Sequence, residues 1–176
     1  APRAVLKDVS LEVRPGMTVA LVGASGSGKT TLCNLIARFF DPCDVPDPDA
    51  PGGKWPAGRI LLDNINLRDI DVRSYRRLLG IVEQDVFLFS RSVADNIAIS
   101  NPPRRFGLID RRAQRLMAEA ALARAGAEDI HPMALVKDLS LSRRQMVEIA
   151  KALAREPRIL ILDEATSALT AADVTK

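Results

Sequence analysis

The sequence predicts an α/β layer fold on a mostly parallel sheet, and three observations lead there. A β-branched apolar run, TVALV at 18–22, passes through a glycine-rich loop into a segment of helical apolar spacing. A second apolar run, ILIL at 159–162, ends in two acids, Asp163 and Glu164. Between the two, strand-like and helix-like segments alternate without an internal repeat.

The bulk numbers fit one domain with a real core. The chain has 176 residues, 47% hydrophobic and 27% charged, which is ordinary for a globular protein. Its longest purely apolar runs are far too short to cross a bilayer, and no signal peptide is visible. Net charge is +3. The basic cluster Arg104, Arg105, Arg111, Arg112 and Arg115 has no interleaved aromatics, so it reads as a solvated face with no nucleic-acid partner. Cys33 and Cys43 form neither a disulfide framework nor a metal-ligand spacing, and reduced thiols in a cytoplasmic setting follow.

Taken in order, VSLEV at 9–13 alternates as a half-buried strand, and Pro15-Gly16 marks a turn. Residues 18–22 read as a buried central strand. Leu32, Leu35, Ile36 and Phe39 give residues 29–40 helical spacing. Residues 41–58, rich in Pro, Asp and Gly, form a long irregular loop. Strands follow at 59–62 and 79–82, with a basic helical segment at 72–77 between them, and Pro102-Pro103 closes the next short helical piece. DRRAQRLMAEAALARA at 110–125 is strongly helix-forming, with Gly126 as its C′ residue. In LSLSRRQMVEIAKAL at 139–153, Met146, Ile149, Ala150 and Leu153 share one helix face. Ser142 and Gln145 fit a capping box there. A buried strand at 158–162 completes the series.

The chemistry begins at GASGSGKT, residues 23–30, which matches G-x-x-x-x-G-K-[ST] between a predicted strand and a predicted helix. Glycines let the backbone amides converge on a phosphate-sized nest, and the following helix aims its positive end there. Gly23, Gly26, Gly28, Lys29 and Thr30 are the binding candidates. Lys29 is expected on the β- and γ-phosphates, and Thr30 on Mg²⁺. Asp163, at the end of an apolar strand, is suited to ordering the metal shell, and Glu164 to acting as general base for an attacking water.

With these motifs stand GIVEQDVFLFS, which contains Gln84, then LSLSRRQMVEIAKAL and DEATSAL. In this order and spacing the chain resembles the nucleotide-binding domain of ATP-binding-cassette (ABC) transporters. The resemblance implies a P-loop NTPase fold with an antiparallel β portion and a helical subdomain. It implies one domain over 1–176, incomplete at both ends, with a core of 1–84 and 157–176 and a helical subdomain with its signature helix at 85–156. Ser25 and Thr31 join the nucleotide-binding set by this resemblance. Gln84 becomes a metal and catalytic residue beside Glu164, and the metal set is Thr30, Gln84 and Asp163. The implied cofactors are ATP and Mg²⁺. The implied partners are a transmembrane permease domain and a second ATP-binding domain in a head-to-tail dimer, with a solute-binding protein if the system imports. The implied location is peripheral, on the cytoplasmic side of the cell membrane.

Two flavours mix. VLKDVSLEVRPGMTVALVGASGSGKTTL, RILLDN and QDVFLFSRSVADNIA are similar to exporters, whereas FGLIDRR and QMVEIAKAL followed by SALT are similar to monosaccharide importers. The reading favours a sugar-type importer, with an exporter-type domain as the alternative. The signature departs from the family's LSGGQ. Its five positions are Leu139, Ser140, Leu141, Ser142 and Arg143, so both glycines and the Gln are replaced. Signature candidates are therefore Ser140, Ser142 and Arg143. Arg143 is expected to supply a charge-assisted bond to a partner's phosphate in place of glycine amides. No aromatic precedes Phe39 to stack adenine, Thr170 stands at the D-loop Asp position, and the single histidine, His131, precedes the signature and reads as a surface or loop residue. A nucleotide-binding module with little or no turnover is the rival reading.

Overall fold

A computed structural model describes residues 5–46, 54–55, 57–83 and 85–163. The chain divides into two compact units, Ala1–Arg76 and Arg77–Lys176.

The first unit is organised around helix α1 (Lys29–Ile36). Two short antiparallel pairs accompany it. Strand β1 (Val45–Pro46) pairs with β2 (Lys54–Trp55), and β3 (Leu61–Leu62) with β4 (Ile65–Asn66). The β3–β4 turn has Asp63 and Asn64 both at positive φ, the left-handed geometry that matches strand twist in a two-residue hairpin. A 3-10 turn (Leu67–Asp69) follows, capped by the Asn66 side chain, which accepts from the Arg68 N–H. Helix α2 (Val72–Arg77) then ends the unit.

Helix α1 is shorter than its apolar spacing predicts. Ala37 is its C-cap and Arg38 turns left-handed at φ 55. The Phe39 N–H reaches back to the Asn34 carbonyl at 2.9 Å and the Arg38 N–H to Leu35 at 3.0 Å, a Schellman closure. Arginine stands where glycine is usual because its side chain is anchored. The guanidinium donates to the carbonyls of Ile70 and Arg68 and pairs with Asp41. The buried Tyr75 hydroxyl adds a bond to the Ile36 carbonyl at 2.6 Å, so the end of α1 is fixed on the 68–76 segment.

The expected strands at 9–13 and 18–22 are not formed. The described ladders of this unit are the two hairpin pairs, and neither run has a strand alongside it. Both runs stay exposed, up to 93% at Val22. β-Propensity expresses fit to a pleated neighbour, so an apolar run without one remains outside any ladder. The predicted turn at Pro15-Gly16 does form, with Gly16 at φ 79 and the Met17 N–H on the Arg14 carbonyl at 3.1 Å.

The second unit carries the main core. Strand β5 (Leu79–Val82) lies parallel to β8 (Ile159–Leu162) in the register Leu79↔Ile159 to Val82↔Leu162. The parallel pairing agrees with the predicted fold class. Gly80 is required there, because a Cβ would fall 2.9 Å from Pro157 Cγ and 3.0 Å from Leu160 Cδ1. Helices α3 (Val93–Ile97), α4 (Arg111–Arg124) and α5 (Leu141–Leu153) pack around Val93, Ile97, Ala118, Leu122, Val147 and Ala150. Alanines at 118, 121 and 150 let the helix backbones approach closely. Between α3 and α4, Arg104–Arg105 (β6) and Leu108–Ile109 (β7) form an exposed hairpin.

Polar contacts fix the helix ends. Asp110 caps α4 through the Arg112 and Ala113 N–H groups, both at 3.0 Å, and Gly126 at φ 71 closes it as expected. Ser92 caps α3, and the Asp95 carboxylate accepts from Ser92 Oγ, Arg111 and Gln114. Burial pushes the Asp95 carboxyl up, but those three hydrogen bonds and the Arg111 charge outweigh it and hold it below the usual carboxylate range.

Candidate functional site

The loop of residues 23–30 enters α1 through two left-handed glycines, Gly26 at φ 78 and Gly28 at φ 95. Gly28 is doubly constrained. Beyond its φ, a Cβ would lie 2.7 Å from Leu6 Cδ2. At Gly23 a Cβ would meet Ser27 Oγ at 2.8 Å, because the loop folds on itself through the Ser27 N–H to the Ala24 carbonyl. As N-cap of α1, Gly28 brings no side chain to the helix end, and the first turn holds no acid. The amides that a helix leaves unpaired at its start are therefore offered to an external acceptor.

Lys29 completes the loop. Its ammonium donates to the carbonyls of Gly23 at 2.8 Å and Ala24 at 2.9 Å, with Ser27 Oγ at 3.5 Å. A cation thus sits inside the ring of glycines, where an anionic ligand would find both it and the amides. Ser25 and Gly26 are exposed on the loop, Thr30 lies in the first turn of α1 and is exposed, and Thr31 follows half-buried.

In the second unit, the Asp163 N–H continues the parallel ladder onto the Val82 carbonyl at 2.9 Å. Asp163 therefore stands at the carboxyl end of the β5–β8 pair, the end where parallel α/β sheets place their ligands. Its strand is half-buried rather than fully buried, since Leu160 and Leu162 face outward. Gln84 and Glu164 lie outside the described residues.

The signature region differs from expectation at its start. The capping box expected at Ser142 and Gln145 is not used. Helix α5 begins at Leu141, with Ser140 as N-cap accepting from the Arg143 N–H at 3.5 Å. Extended geometry at Ser140 and an apolar Leu141 move the start two residues upstream. The Ser142 hydroxyl lies 3.3 Å from that of Ser140. The buried face is broader than the predicted stripe. Val147 and Ala150 are fully enclosed with Ile149 and Ala152, while Met146 and Leu153 pack at the edge.

The two arginines are not free on the surface. Arg143 pairs with Asp129 at 2.6 Å. Arg144 donates through Nε to the carbonyls of Val136 at 3.1 Å and Leu139 at 3.0 Å, and through Nη2 to Lys137 at 2.9 Å. That guanidinium gathers the 3-10 turn Val136–Asp138 and fixes the approach to Ser140. Asp129 and the anchoring role of Arg144 were invisible in the sequence, because backbone carbonyls and a carboxylate fourteen positions away leave no motif. His131 is exposed in the loop after α4, as expected, and its Nδ1 accepts from the Met133 N–H. The basic cluster is solvent-facing, with Arg111 engaged by Asp95 and Arg115 by Glu119.

Comparison with known proteins bears on the whole chain. The chain is 53% identical over 173 residues to a ribose import ATP-binding protein, RbsA 1, of Rhizobium johnstonii, a match covering 97% of this chain and 31% of that relative. It is 37% identical over 174 residues to the β-(1→2)glucan export ATP-binding/permease protein NdvA of Bradyrhizobium diazoefficiens, covering 99% of this chain and 27% of that one. The chain thus spans about a third of the length of these curated relatives. Among solved structures, the dimeric post-hydrolysis ATP-binding cassette MJ0796 bound to ADP and Pi superposes with a TM-score of 0.73 at 29% identity, covering 96% of this chain and 69% of that one. A family model described as "ABC transporter" matches residues 6–167. With the loop of Lys29, the strand ending in Asp163 and the Ser140 helix in one chain under that match, the protein belongs to the ABC transporter family.

Proposed function

We propose that the chain is the ATP-binding domain of an ABC transporter, which binds Mg-ATP and hydrolyses it to drive a substrate through a membrane partner. One observation carries this reading: the Lys29 ammonium is held inside a glycine loop that opens onto the uncapped N-terminus of α1. The amides and side chains of Gly23, Ser25, Gly26, Gly28 and Thr31 surround the phosphates, and Lys29 exchanges its carbonyl partners for β- and γ-phosphate oxygens. Thr30, Gln84 and Asp163 would hold Mg²⁺, and the hydroxyl and carboxylate oxygens among them are the hard donors that ion prefers. When bound, Mg²⁺ neutralises charge on the transferred phosphoryl group. Glu164 accepts the proton of the attacking water.

The working organisation is a P-loop core of 1–84 and 157–176 with a helical subdomain at 85–156. Two such domains pair head to tail on the cytoplasmic side of the membrane and engage a permease, with a solute-binding protein in an import system. No helix among the described residues is long and apolar enough to cross a membrane, so the reading assigns the crossing to a partner domain. The higher identity to a ribose import protein than to a glucan exporter favours a sugar-type importer.

A module with little turnover is the second reading. It is favoured by the signature start, where Ser140 caps its own helix and Arg143 is bound to Asp129. Nucleotide binding and steady-state phosphate release, measured on wild type and Glu164→Gln, separate the readings. Transport-type catalysis predicts that both bind ATP and that the variant releases phosphate at least about a hundredfold more slowly. Binding without release by the wild type supports the second reading, and absence of binding overturns both.

A further inference from the structure

We propose that Asp129 is a built-in competitor for Arg143: the ion pair must open before Arg143 can reach the phosphate of a nucleotide held by a second copy. Asp129 thereby raises the nucleotide concentration at which two copies pair. This rests on the head-to-tail reading of the signature given above.

Arg143 is the third residue of the thirteen-residue helix α5, and its N–H is capped by Ser140. A cation there opposes the positive end of the helix, so it needs an anion nearby. The first turn of α5 contains no acid. The counter-charge comes instead from Asp129, in the loop after α4, with Nη2 to Oδ2 at 2.6 Å. The two side chains are 52% and 63% exposed. Water screens such a pair, its net value is small, and a multiply charged phosphate can displace it.

Arg144 cannot play the same part. Its guanidinium is committed to three backbone carbonyls, and moving it would dismantle the turn that sets Ser140. Only one of the two adjacent arginines is thus held by a partner that an incoming anion can replace. Asp129 also repels that anion, because any phosphate within reach of Arg143 approaches the carboxylate it is leaving. Glu128, exposed beside it, adds to the same field.

The test is MgATP-dependent dimerisation of the full polypeptide, followed by sedimentation over a nucleotide series, for wild type, Asp129→Asn, Arg143→Ala and the double variant. Asp129→Asn is expected to lower the ATP concentration for half-maximal dimerisation by about threefold to tenfold, counting two exchanged pairs at the strength of exposed ion pairs. In the Arg143→Ala background the same substitution is expected to give a clearly smaller gain, because only the direct repulsion between the carboxylate and the phosphate is then relieved. Weaker or unaltered dimerisation of Asp129→Asn overturns the proposal, as does an equal gain without Arg143. ATP binding to dilute monomer is measured alongside. Loss of that binding in the wild type would defeat the nucleotide reading itself, whereas normal binding with an unaltered dimer threshold defeats only the role of Asp129.

Discussion

Two helix N-termini in this chain differ in how their unpaired amides are satisfied. At α1 the N-cap is Gly28, left-handed and without a side chain, and the neighbouring cation folds into the loop ahead of it. At α5 the N-cap is Ser140, whose hydroxyl takes an amide of its own helix, and the neighbouring cations are bound to Asp129 and to three carbonyls. Both ends carry the partial positive charge of a helix start. The first leaves it available to a ligand, and the second consumes much of it internally. A phosphate-binding end is thus defined less by the helix than by what the cap declines to do.

The strongest way to break the comparison is to give the first end the cap of the second. Gly28→Ser would put a Cβ 2.7 Å from Leu6 Cδ2 and force a side chain onto φ 95. We expect ATP affinity to fall by more than about tenfold and stability by about 1–2 kcal/mol, read by nucleotide titration and thermal melting. A variant that binds as tightly as wild type would show that the open cap does not matter.

Arg144→Ala removes three bonds from a charged donor, among them the part-buried one to the Leu139 carbonyl, while the Val136 carbonyl keeps the Leu139 N–H. A loss of about 2 kcal/mol in denaturant unfolding follows. Arg144→Lys should restore little of it, because an ammonium cannot span the same fork. If Lys rescues fully, the anchoring geometry is not what counts.

Acid should loosen the helical core through Asp95. Its folded pKa is depressed, so its contribution is complete above the ordinary carboxylate value, about 4, and is lost as pH falls through the folded value. Asp95→Asn should flatten the acid limb of a melting-temperature profile below about pH 4. The same limb in variant and wild type would remove Asp95 from the account.

The smallest effect is the reciprocal swap. Ser140→Gly should cost only a few tenths of a kcal/mol, since glycine tolerates the cap position and water replaces the hydroxyl. A loss above about 1 kcal/mol would mean that the long Ser140 cap is stronger than its 3.5 Å distance implies.

These contrasts also show what the sequence could convey. The glycine loop, the helices at 72–77 and 111–124, the strand at 79–82 and the C′ role of Gly126 were legible, because each depends on local spacing or on a φ that few residues tolerate. The strands expected at 9–13 and 18–22 do not form, because a ladder needs a neighbour that the segment itself does not encode. The start of α5 was misplaced by two residues, since both Ser140 and Ser142 can cap and only the extended backbone at 140 decides between them. Asp129 could not have been found at all. Its importance is a distance in space, and the candidate roles of Gln84 and Glu164 rest on residues outside those described.

The central claim is that nucleotide held by the chain depends on the α1 end and not on the α5 end. Titration of MgATP into dilute monomer of wild type, Lys29→Ala and Arg143→Ala tests it directly. The account predicts that Lys29→Ala weakens binding by at least about a hundredfold, as expected when a charge-assisted contact to phosphate is removed, while Arg143→Ala binds like wild type. Near-normal affinity in Lys29→Ala, or an equal loss in Arg143→Ala, would contradict it.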